Sequence, residues 1–440
     1  MTEIAILTLD TFSEKMAGPA IRVWEMARLL AKEHEVTVFT FARADATPTD
    51  FRLRAADHVT FHSEIGEPEI IILQGSLLRA FPWLAEREAK LVIDLYDPFH
   101  LESLGGSREE PLADRQAVLG QLVAELDAQI DAGDFFLCAS EPQRSLWLGH
   151  LAARGRVNPR TYDDDPSLTR LIDIAPFGID FPFPAPTATP LRDHPGIGPD
   201  DPVLIWGGGI YNWFDPLTVI RAVGLAKEQV PNLRLFFLGA GHPHPDMPQM
   251  EMARKARELT AEAGLEDHVF FGEDWVDYAE RHNYLADAAA GVTAHFADIE
   301  TRFSFRTRIL DCLWAGLPII TTEGDFFADL VTDKGLGVAV PVEDPVALAS
   351  AITQVLDHRE AMSERVREVA AAFAWESTLA PLLAYCRDPY VAADRGDRAK
   401  RVAARLSRPS LRTLAVRTKN SLQSRGIRGT AAKIRTYLRR

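Results

Sequence analysis

Apolar and polar residues follow two alternating patterns along this chain, and each repeat predicts a strand followed by a helix. In the first half, short apolar runs predict strands at residues 4–9, 35–40, 69–75, 90–96, 134–140 and 171–178. A helix is predicted to begin near Gly18-Pro19, because proline suits the first helical position and the apolar residues that follow share one helical face. Strands that alternate with helices in this way predict a parallel α/β architecture.

A proline- and glycine-rich segment, residues 181–201, separates this half from a second one with the same pattern. There the strands are predicted at 202–208, 233–239, 269–272, 291–296, 318–322 and 337–341, and late helices over 344–357 and near 361–386. We therefore predict two Rossmann-like domains, 1–180 and 202–390, joined by a linker and followed by a tail, 391–440. The loops at the carboxyl ends of both sets of strands should face a central cleft, where ligands of such folds bind.

Length and composition agree with a globular enzyme of two domains. The chain has 440 residues, of which 47% are hydrophobic, and it contains no run of 18 apolar residues that could span a bilayer. The first residues, MTEIAILTLD, lack the basic region of a signal peptide. The three cysteines have neither zinc-site nor redox-pair spacing. We therefore expect a reduced, cytoplasmic protein without a bound metal.

Charge is divided unevenly between the body and the tail. Residues 395–440 hold 15 basic residues and one acidic residue, whereas residues 1–394 hold 33 basic and 62 acidic residues. Such a tail could lie on an anionic membrane surface, remain solvated, or bind nucleic acid. Because Tyr437 is its one aromatic residue, we expect no nucleic-acid partner and predict a peripheral membrane contact through residues 398–440.

The segment from Ile299 to Ile320 combines charges with a predicted helix start. Asp311 lies early in this helix, behind Arg306 and Arg308, and a buried strand should follow. A helix N-terminus already favours anions, and the arginines add fixed positive charge. This combination suits a nucleotide-sugar diphosphate better than a metal ion or a nucleophile.

Several motifs, taken in order, resemble those of GT-B glycosyltransferases of the retaining family 4 type. The matching segments are GPAIRVWEMARLLAKEHEVTVFT (18–40), IAPFGID (174–180), LFFLGAGHP (235–243), VFFGEDWV (269–276), LDCLWAGLPII (310–320) and GLGVAVPVEDPVALASAI (335–352). The resemblance implies an acceptor-binding first domain and a donor-binding second domain. It also implies transfer of a hexose-type sugar from a nucleotide-diphosphate sugar to a hydroxyl of a glycan or lipid-linked acceptor, in cell-envelope polysaccharide biosynthesis. By this resemblance the reaction retains anomeric configuration and uses neither a metal nor a cofactor, the nucleotide-diphosphate sugar being a substrate.

The chain departs from the family pattern at three places. Asp311 stands where the resemblance places the second glutamate of E-x7-E, which binds the donor ribose, but the first glutamate would fall at Phe303. Glu300 lies three residues earlier and is a candidate replacement. The glycine segment 207–216 lacks the family's arginine and lysine for the diphosphate, so we predict that Arg306 and Arg308 supply that charge. Tyr96 stands where the family often has a histidine.

These arguments give a set of candidate site residues. The catalytic candidates are Arg306, Arg308, Asp97 and Tyr96. The candidates for the donor are Gly208, Gly209, Asn212, Gly241, Trp275, Val276, Glu300, Ser304, Phe305 and Asp311, and those for the acceptor or a phosphate are Gly18, Pro19 and Arg22.

Simpler explanations stay open for several of these residues. Asp311 could be a solvated helix-start residue, and an arginine of the pair could only balance Glu300. Gly18-Pro19 could reflect helix-start geometry alone, and Tyr96 could be structural. The chain could also be a noncatalytic sugar-binding subunit or a nucleotide-sugar epimerase of the same fold. A nicotinamide oxidoreductase is disfavoured, because no strand is followed by G-x-G-x-x-G.

Overall fold

The computed structural model describes residues 1–13, 16–106, 108, 110–239, 250–272, 276 and 280–397 of the chain. Met1–Ala393 form one compact unit, and a second unit begins at Asp394 with a short 3-10 helix, Arg395–Asp397, in its described part. The candidates Gly241 and Trp275, and residues 398–440 of the predicted tail, lie outside the described residues.

Seven of the described strands form the first parallel sheet, and its six predicted strands are confirmed. Their order in the sheet is β3-β2-β1-β4-β5-β6-β7. The seventh strand, β3, was not predicted, because it is a short, charged and mostly exposed edge strand (RLRA) without an apolar run. The strands are β1 Glu3–Thr8, β2 Glu35–Thr40, β3 Arg52–Ala55, β4 Ile70–Gln74, β5 Lys90–Asp94, β6 Phe135–Cys138 and β7 Ile172–Ile174.

Six described strands form the second parallel sheet, as predicted. Their order is β10-β9-β8-β11-β12-β13. The strands are β8 Val203–Gly209, β9 Arg234–Gly239, β10 Val269–Phe271, β11 Ala290–Val292, β12 Ile319–Thr322 and β13 Gly337–Val340. The predicted fold class, two α/β domains with parallel sheets, is therefore confirmed.

Helices connect the strands of both sheets. The predicted helix at Gly18-Pro19 is confirmed as α1, which has Pro19 in its first turn. The helices before the second sheet are α1 Gly18–Leu30, α2 Phe61–Glu64, α3 Phe99–Gly106, α4 Leu112–Ala132, α5 Glu141–Ala153 and α6 Pro159–Asp164. Those of the second half are α7 Pro216–Ala226, α8 Glu251–Glu262, α9 Arg281–Asp287, α10 Ile299–Phe303, α11 Thr307–Ala315, α12 Phe326–Lys334, α13 Pro345–Asp357, α14 Arg359–Ala370, α15 Trp375–Thr378 and α16 Ala380–Arg387.

The helix predicted near 361–386 is three helices in the structure, so that prediction was wrong in its continuity. A 3-10 turn, Ala371–Phe373, follows α14, and Ala374 has ψ of 142°, which stops the helical path. The break lets the chain return to the first domain. Ile179 N–H donates to Phe373 O over 2.8 Å, and the Tyr385 ring stacks on Phe135 at 4.7 Å between centroids. The predicted end of the second domain at residue 390 stays a prediction.

Each sheet has a point where the strand order reverses, between β1 and β4 and between β8 and β11. The loops that leave the carboxyl ends of neighbouring strands diverge there and open a crevice. After β8 lies the glycine segment, and after β11 lies the chain leading to α10 and α11. The charged segment from Ile299 to Ile320 therefore lies next to the glycines at the end of β8, at this reversal point. In the described residues, no helix has the length and apolar character needed to cross a membrane.

Candidate functional site

A cavity of about 240 Å³ lies between the carboxyl ends of the two sheets. Its walls come from both domains, as the cleft prediction requires. The first domain contributes the start of α1 and the chain after β7, and the second contributes the ends of β8 and β9 with helices α9 and α11. Its lining includes Met16, Ala17, Gly18, Ile21, Phe177, Gly178, Ile179, Asp180, Gly207, Gly208, Gly209, Tyr211, Leu238, Gly239, Val276, Arg281, Thr307, Arg308, Leu310, Asp311 and Trp314.

The end of β8 presents bare backbone to this cavity. Gly208 has φ of +80°, a conformation that side-chain-bearing residues rarely adopt, and a Cβ built on it would meet no atom within 4 Å. A Cβ on Gly207 would lie 3.5 Å from Asp311 Oδ2. Gly208 thus leaves open space in which a ligand can approach the main chain closely.

Replacing Gly208 by alanine is expected to destabilise the protein by about 1–2 kcal/mol, the usual cost of the left-handed conformation for a residue with a Cβ. Steric overlap contributes nothing, since the space beside Gly208 is open. Urea unfolding curves measure the effect. Gly120→Ala is the control, because Gly120 lies inside α4 with open space around it and alanine favours helix there. Equal shifts in both variants would show that the backbone at Gly208 is unstrained.

Arg308 lies on the first turn of α11 and lines the cavity beside the glycines. Its Nη2 donates to Gly209 O over 3.2 Å, and Nη1 has no hydrogen-bond partner among the described residues. The guanidinium lies 3.7 Å from the ring centroid of Phe214 and 5.0 Å from that of Trp206. Burial, and then the charge of Arg306, lowers the pKa of Arg308 to about 9, so it stays a cation at neutral pH.

Arg306 has a different environment, although it is only two residues away. It is buried, does not line the cavity, and donates through Nη2 to Glu300 Oε2 over 2.8 Å and to Thr301 Oγ1 over 3.1 Å. Its Nε lies 3.8 Å from Asp325 Oδ2. The structure thus shows the ion pair with Glu300 that the sequence left open. It places neither partner at the cavity wall.

A buried polar network that the sequence analysis missed continues from this pair. His295 Nε2 lies 3.0 Å from Asp325 Oδ2, and His295 Nδ1 lies 2.7 Å from Thr322 Oγ1. Both His295 and Asp325 are fully buried, and Asp325 Oδ1 also accepts from the N–H of Ala328 at the start of α12. Each of the two lies three residues after the end of a strand, β11 or β12, and that position is the signal that could have identified them.

Asp311 is buried and lines the cavity, so it is not a solvated helix-start residue. Arg281 Nη2 pairs with Asp311 Oδ1 at 3.0 Å, and the Arg281 guanidinium lies 5.9 Å from the ring centroid of Trp314. Burial raises the pKa of Asp311, while Arg281 and Arg308 lower it. The second turn of α11 therefore carries a carboxylate between two cations, next to Gly207.

The start of α1 forms the opposite wall of the cavity. Ala17 is its N-cap residue and has no side-chain capping bond, and Gly18 lines the cavity. The first backbone N–H groups of the helix are consequently available to an anion, and Pro19 lacks such a group. Both explanations of Gly18-Pro19 are compatible with this geometry.

Arg22, one turn further along α1, is fully buried beneath the cavity wall. Its Nε and Nη2 donate to the two carboxylate oxygens of Asp94 over 2.8 and 2.9 Å. Nη1 donates to Pro176 O over 2.9 Å, and Nη2 also donates to Ala175 O over 2.8 Å. Because these donors are bonded within the protein, Arg22 is a structural cation and not an anion ligand.

Tyr96 and Asp97 lie after β5 and outside the cavity lining. Burial raises the pKa of Tyr96 well above its ordinary value, and Asp97 adds to this rise. Burial also raises the pKa of Asp97 strongly, followed by the neighbouring Glu102 and, more weakly, Glu300 of the second domain. These carboxyl groups meet at the contact between the domains, beside the cavity and not in it.

The other donor candidates are scattered. Val276 lines the cavity, whereas Asn212 is exposed and accepts from the N–H of Met252. Ser304 Oγ donates to Thr301 O, and the Phe305 ring lies against Phe326 and Phe327. In the described part of the chain, no group of three histidine, cysteine or acidic residues could hold a metal ion.

Comparison with known proteins finds a family model that part of the second domain matches. Residues 201–358 match the family model described as "Glycosyl transferases group 1". A D-inositol 3-phosphate glycosyltransferase of Geodermatophilus obscurus is 28% identical over 287 residues, which cover 63% of this chain and 56% of that protein. A protein with the same name from Xylanimonas cellulosilytica is 25% identical over 398 residues, 83% of this chain and 90% of that protein. The chain therefore spans only about half the length of some curated relatives: 56% of the Geodermatophilus protein, and 54% of a protein with the same name from Saccharomonospora viridis.

A solved structure shows how far the fold extends. The Anabaena protein Alr3699/HepE, solved in complex with UDP-glucose, has a TM-score of 0.65 and 13% sequence identity, covering 89% of this chain and all of that one. At this identity the likeness shows the fold alone. The chain has the GT-B glycosyltransferase fold, with two parallel-sheet domains on either side of a cleft. Within its second domain, residues 201–358 are similar to the glycosyl transferases group 1 model.

Proposed function

We propose that the protein is a glycosyltransferase that moves a sugar from a nucleotide-diphosphate sugar to an acceptor hydroxyl. The observation that carries this proposal is the anion-binding geometry of the cavity. Open backbone at Gly208, the N-terminus of α11 and the cation Arg308 converge on one wall of it. A diphosphate would be held there by backbone N–H groups, the helix dipole and one guanidinium.

The rest of the donor extends along the same wall in this proposal. Asp311 accepts hydrogen bonds from the ribose hydroxyl groups, since it is a buried carboxylate at the cavity edge. Arg281 pairs with that carboxylate and orients it. The apolar residues Leu238 and Val276, which also line the cavity, suit the base. The structure of Alr3699/HepE was solved with UDP-glucose, which makes this donor a reasonable first choice here.

Chemistry at this site requires stabilising the negative charge of the departing diphosphate. Arg308 and the α11 dipole lie where that charge develops, so we propose that they take the place of a metal ion. The acceptor hydroxyl attacks from the face that the diphosphate leaves, a diphosphate oxygen takes its proton, and anomeric configuration is retained. Arg306 has no part in this step, because its charge is balanced by Glu300.

The first domain presents the acceptor in this proposal. The start of α1 faces the donor wall across the cavity, and its free N–H groups could hold a phosphate on the acceptor. Two of the relatives are named D-inositol 3-phosphate glycosyltransferases, so a phosphorylated polyol is a candidate beside a glycan or a lipid-linked acceptor. A role in cell-envelope polysaccharide biosynthesis, with the basic tail on a membrane, is part of the same proposal.

A panel of nucleoside diphosphates and their sugars, screened by thermal shift and by nucleoside diphosphate release, tests the proposal. A ligand at 100 times its Kd stabilises the folded protein by about 2.7 kcal/mol, which raises the melting temperature measurably. We expect one donor to bind and to release its diphosphate slowly in water and faster with an acceptor such as D-inositol 3-phosphate. Binding without release would favour a noncatalytic sugar-binding subunit. Neither binding nor release with any donor would refute the proposal.

A further inference from the structure

One buried glutamine, Gln143, donates hydrogen bonds to both domains. It lies in the first turn of α5, where Ser140 is the N-cap residue and accepts from the N–H of Gln143. Its Oε1 accepts from the N–H of Ala139 over 2.8 Å. Its Nε2 donates to Tyr96 O in the first domain and to Phe303 O in the second, each over 2.8 Å. The side chain is fully buried, and its hydrogen bonds fix which end is the nitrogen.

The partner carbonyl belongs firmly to the second domain. Phe303 is the last residue of α10, and the carbonyls at a helix end have no partner within the helix. Asp298 caps the start of α10 by accepting from the N–H of Thr301 over 2.9 Å. Arg306, which pairs with Glu300, also donates to Thr301 Oγ1. The short helix is therefore capped at its start and held through Glu300 and Thr301 to Arg306 of its own domain, while Gln143 reaches its last residue from the other domain.

This contact lies close to both walls of the cavity. Phe303 precedes the start of α11, where Arg308 lines the cavity, by four residues. On the first-domain side, Tyr96 lies two residues after Asp94, which ends β5 and pairs with Arg22 in α1. A displacement at Gln143 would be transmitted along these short connections to both faces that must meet around a ligand.

We propose that Gln143 is a positioning residue that holds the two domains together across the cleft and so sets the distance between the cavity walls. Two carbonyl oxygens face one nitrogen, so the bridge requires a side chain with two N–H donors on a single atom. An amide supplies both, while a carboxylate would place an acceptor against acceptors.

The test compares Gln143→Leu with Gln129→Leu. Gln129 is an equally buried amide whose Nε2 donates to Gly75 O over 2.7 Å and to Glu125 Oε1 over 3.1 Å, both within the first domain. Gln143→Leu loses three side-chain hydrogen bonds and Gln129→Leu loses two, at similar volume. Both variants should therefore lose stability in urea unfolding, Gln143→Leu somewhat more. Only Gln143→Leu removes a link between domains.

Small-angle X-ray scattering of the full chain and kinetics with the nucleotide-sugar panel provide the readouts. For Gln143→Leu we expect a larger radius of gyration and a fall in kcat of about tenfold or more, because misplaced reacting groups lose rate steeply. The affinity for the nucleoside diphosphate should stay near that of the original protein, and Gln129→Leu should change neither shape nor kcat.

An unchanged radius of gyration in Gln143→Leu would overturn the proposal, as would equal kinetic effects in the two variants. Gln143→Glu provides a second route if the leucine variant does not fold. It should open the cleft further as pH rises and its carboxylate forms opposite the two carbonyls. The scattering readout needs no sugar transfer, so it separates a failure of this inference from a failure of the proposed glycosyltransferase function.

Discussion

Replacing Arg308 by alanine is expected to lower kcat about 100- to 1000-fold, the usual loss when one fixed donor to a developing negative charge is removed. Arg308 is the cation that lines the cavity and donates to Gly209 O, beside the open backbone proposed for the diphosphate. Because its contact strengthens as the diphosphate leaves, kcat and kcat/KM should fall together while KM changes little. Steady-state release of nucleoside diphosphate measures this.

The control for this prediction is Arg302→Ala. Arg302 is exposed on α10, its guanidinium lies 5.7 Å from the ring centroid of Phe303, and it does not line the cavity. Its loss should leave kcat within about twofold, as expected of a surface charge. Arg308→Lys should retain part of the rate, because it keeps the charge but not the planar donor geometry. Turnover of Arg308→Ala equal to that of Arg302→Ala would remove Arg308 from the mechanism.

Replacing Arg22 by alanine is expected to destabilise the protein by about 3–5 kcal/mol, the cost of breaking a buried ion pair from one side. The loss leaves the buried carboxylate of Asp94 without its partner and frees the carbonyls of Ala175 and Pro176. The midpoint of urea unfolding, followed by circular dichroism, measures the effect. Arg52→Ala is the control, because the pair of Arg52 with Glu35 is exposed and contributes at most about 1 kcal/mol.

The same variant separates the two roles considered for Arg22. If Arg22 is a structural cation, its replacement lowers the stability of the protein and leaves the nucleotide affinity of the folded molecules intact. If Arg22 is instead an anion ligand, its replacement weakens nucleotide binding and leaves stability nearly unchanged. Weakened donor binding with an unchanged unfolding midpoint would therefore contradict the role that the structure gives to Arg22.

The fold was predictable because a buried parallel strand is marked by its own residues. The run IIILQ of β4 is almost fully inaccessible, and its length and apolar character predict a central strand without further information. The edge strand β3 carries no such mark, since its RLRA sequence faces solvent. Its pairing with β2 is set by the sheet and not by its own composition.

The site was predictable only in part. A sequence shows which residues are charged, but it does not show in which direction their side chains point. Arg306 and Arg308 look alike in the string RTR. Arg306 precedes α11 and turns back to Glu300, whereas Arg308 lies on the first turn of the helix and faces the glycines. The two arginines are two positions apart and therefore point in different directions around the helix axis. This difference in direction decides which of them can contact a ligand.

Gln143 shows that a local sequence pattern does not reveal a long-range contact. The sequence Ser140-x-x-Gln143 is the mark of a helix start, and the structure confirms the N-cap at Ser140. Nothing in that pattern shows that the amide nitrogen reaches a carbonyl 160 residues further along the chain. Such a contact exists only once both domains have folded and met.

By itself, the sequence determined the two parallel sheets, the glycines at the end of β8, and the likeness of the second half to a sugar-transferring domain. These features depend on local apolar periodicity and on residues close in the chain. The tertiary structure alone decided that Arg308 lines the cavity, that Arg306 is held by Glu300, that Arg22 is committed to Asp94, and that Gln143 links the domains. These facts depend on directions and long-range distances, which are fixed only when the buried polar groups of both domains find their partners.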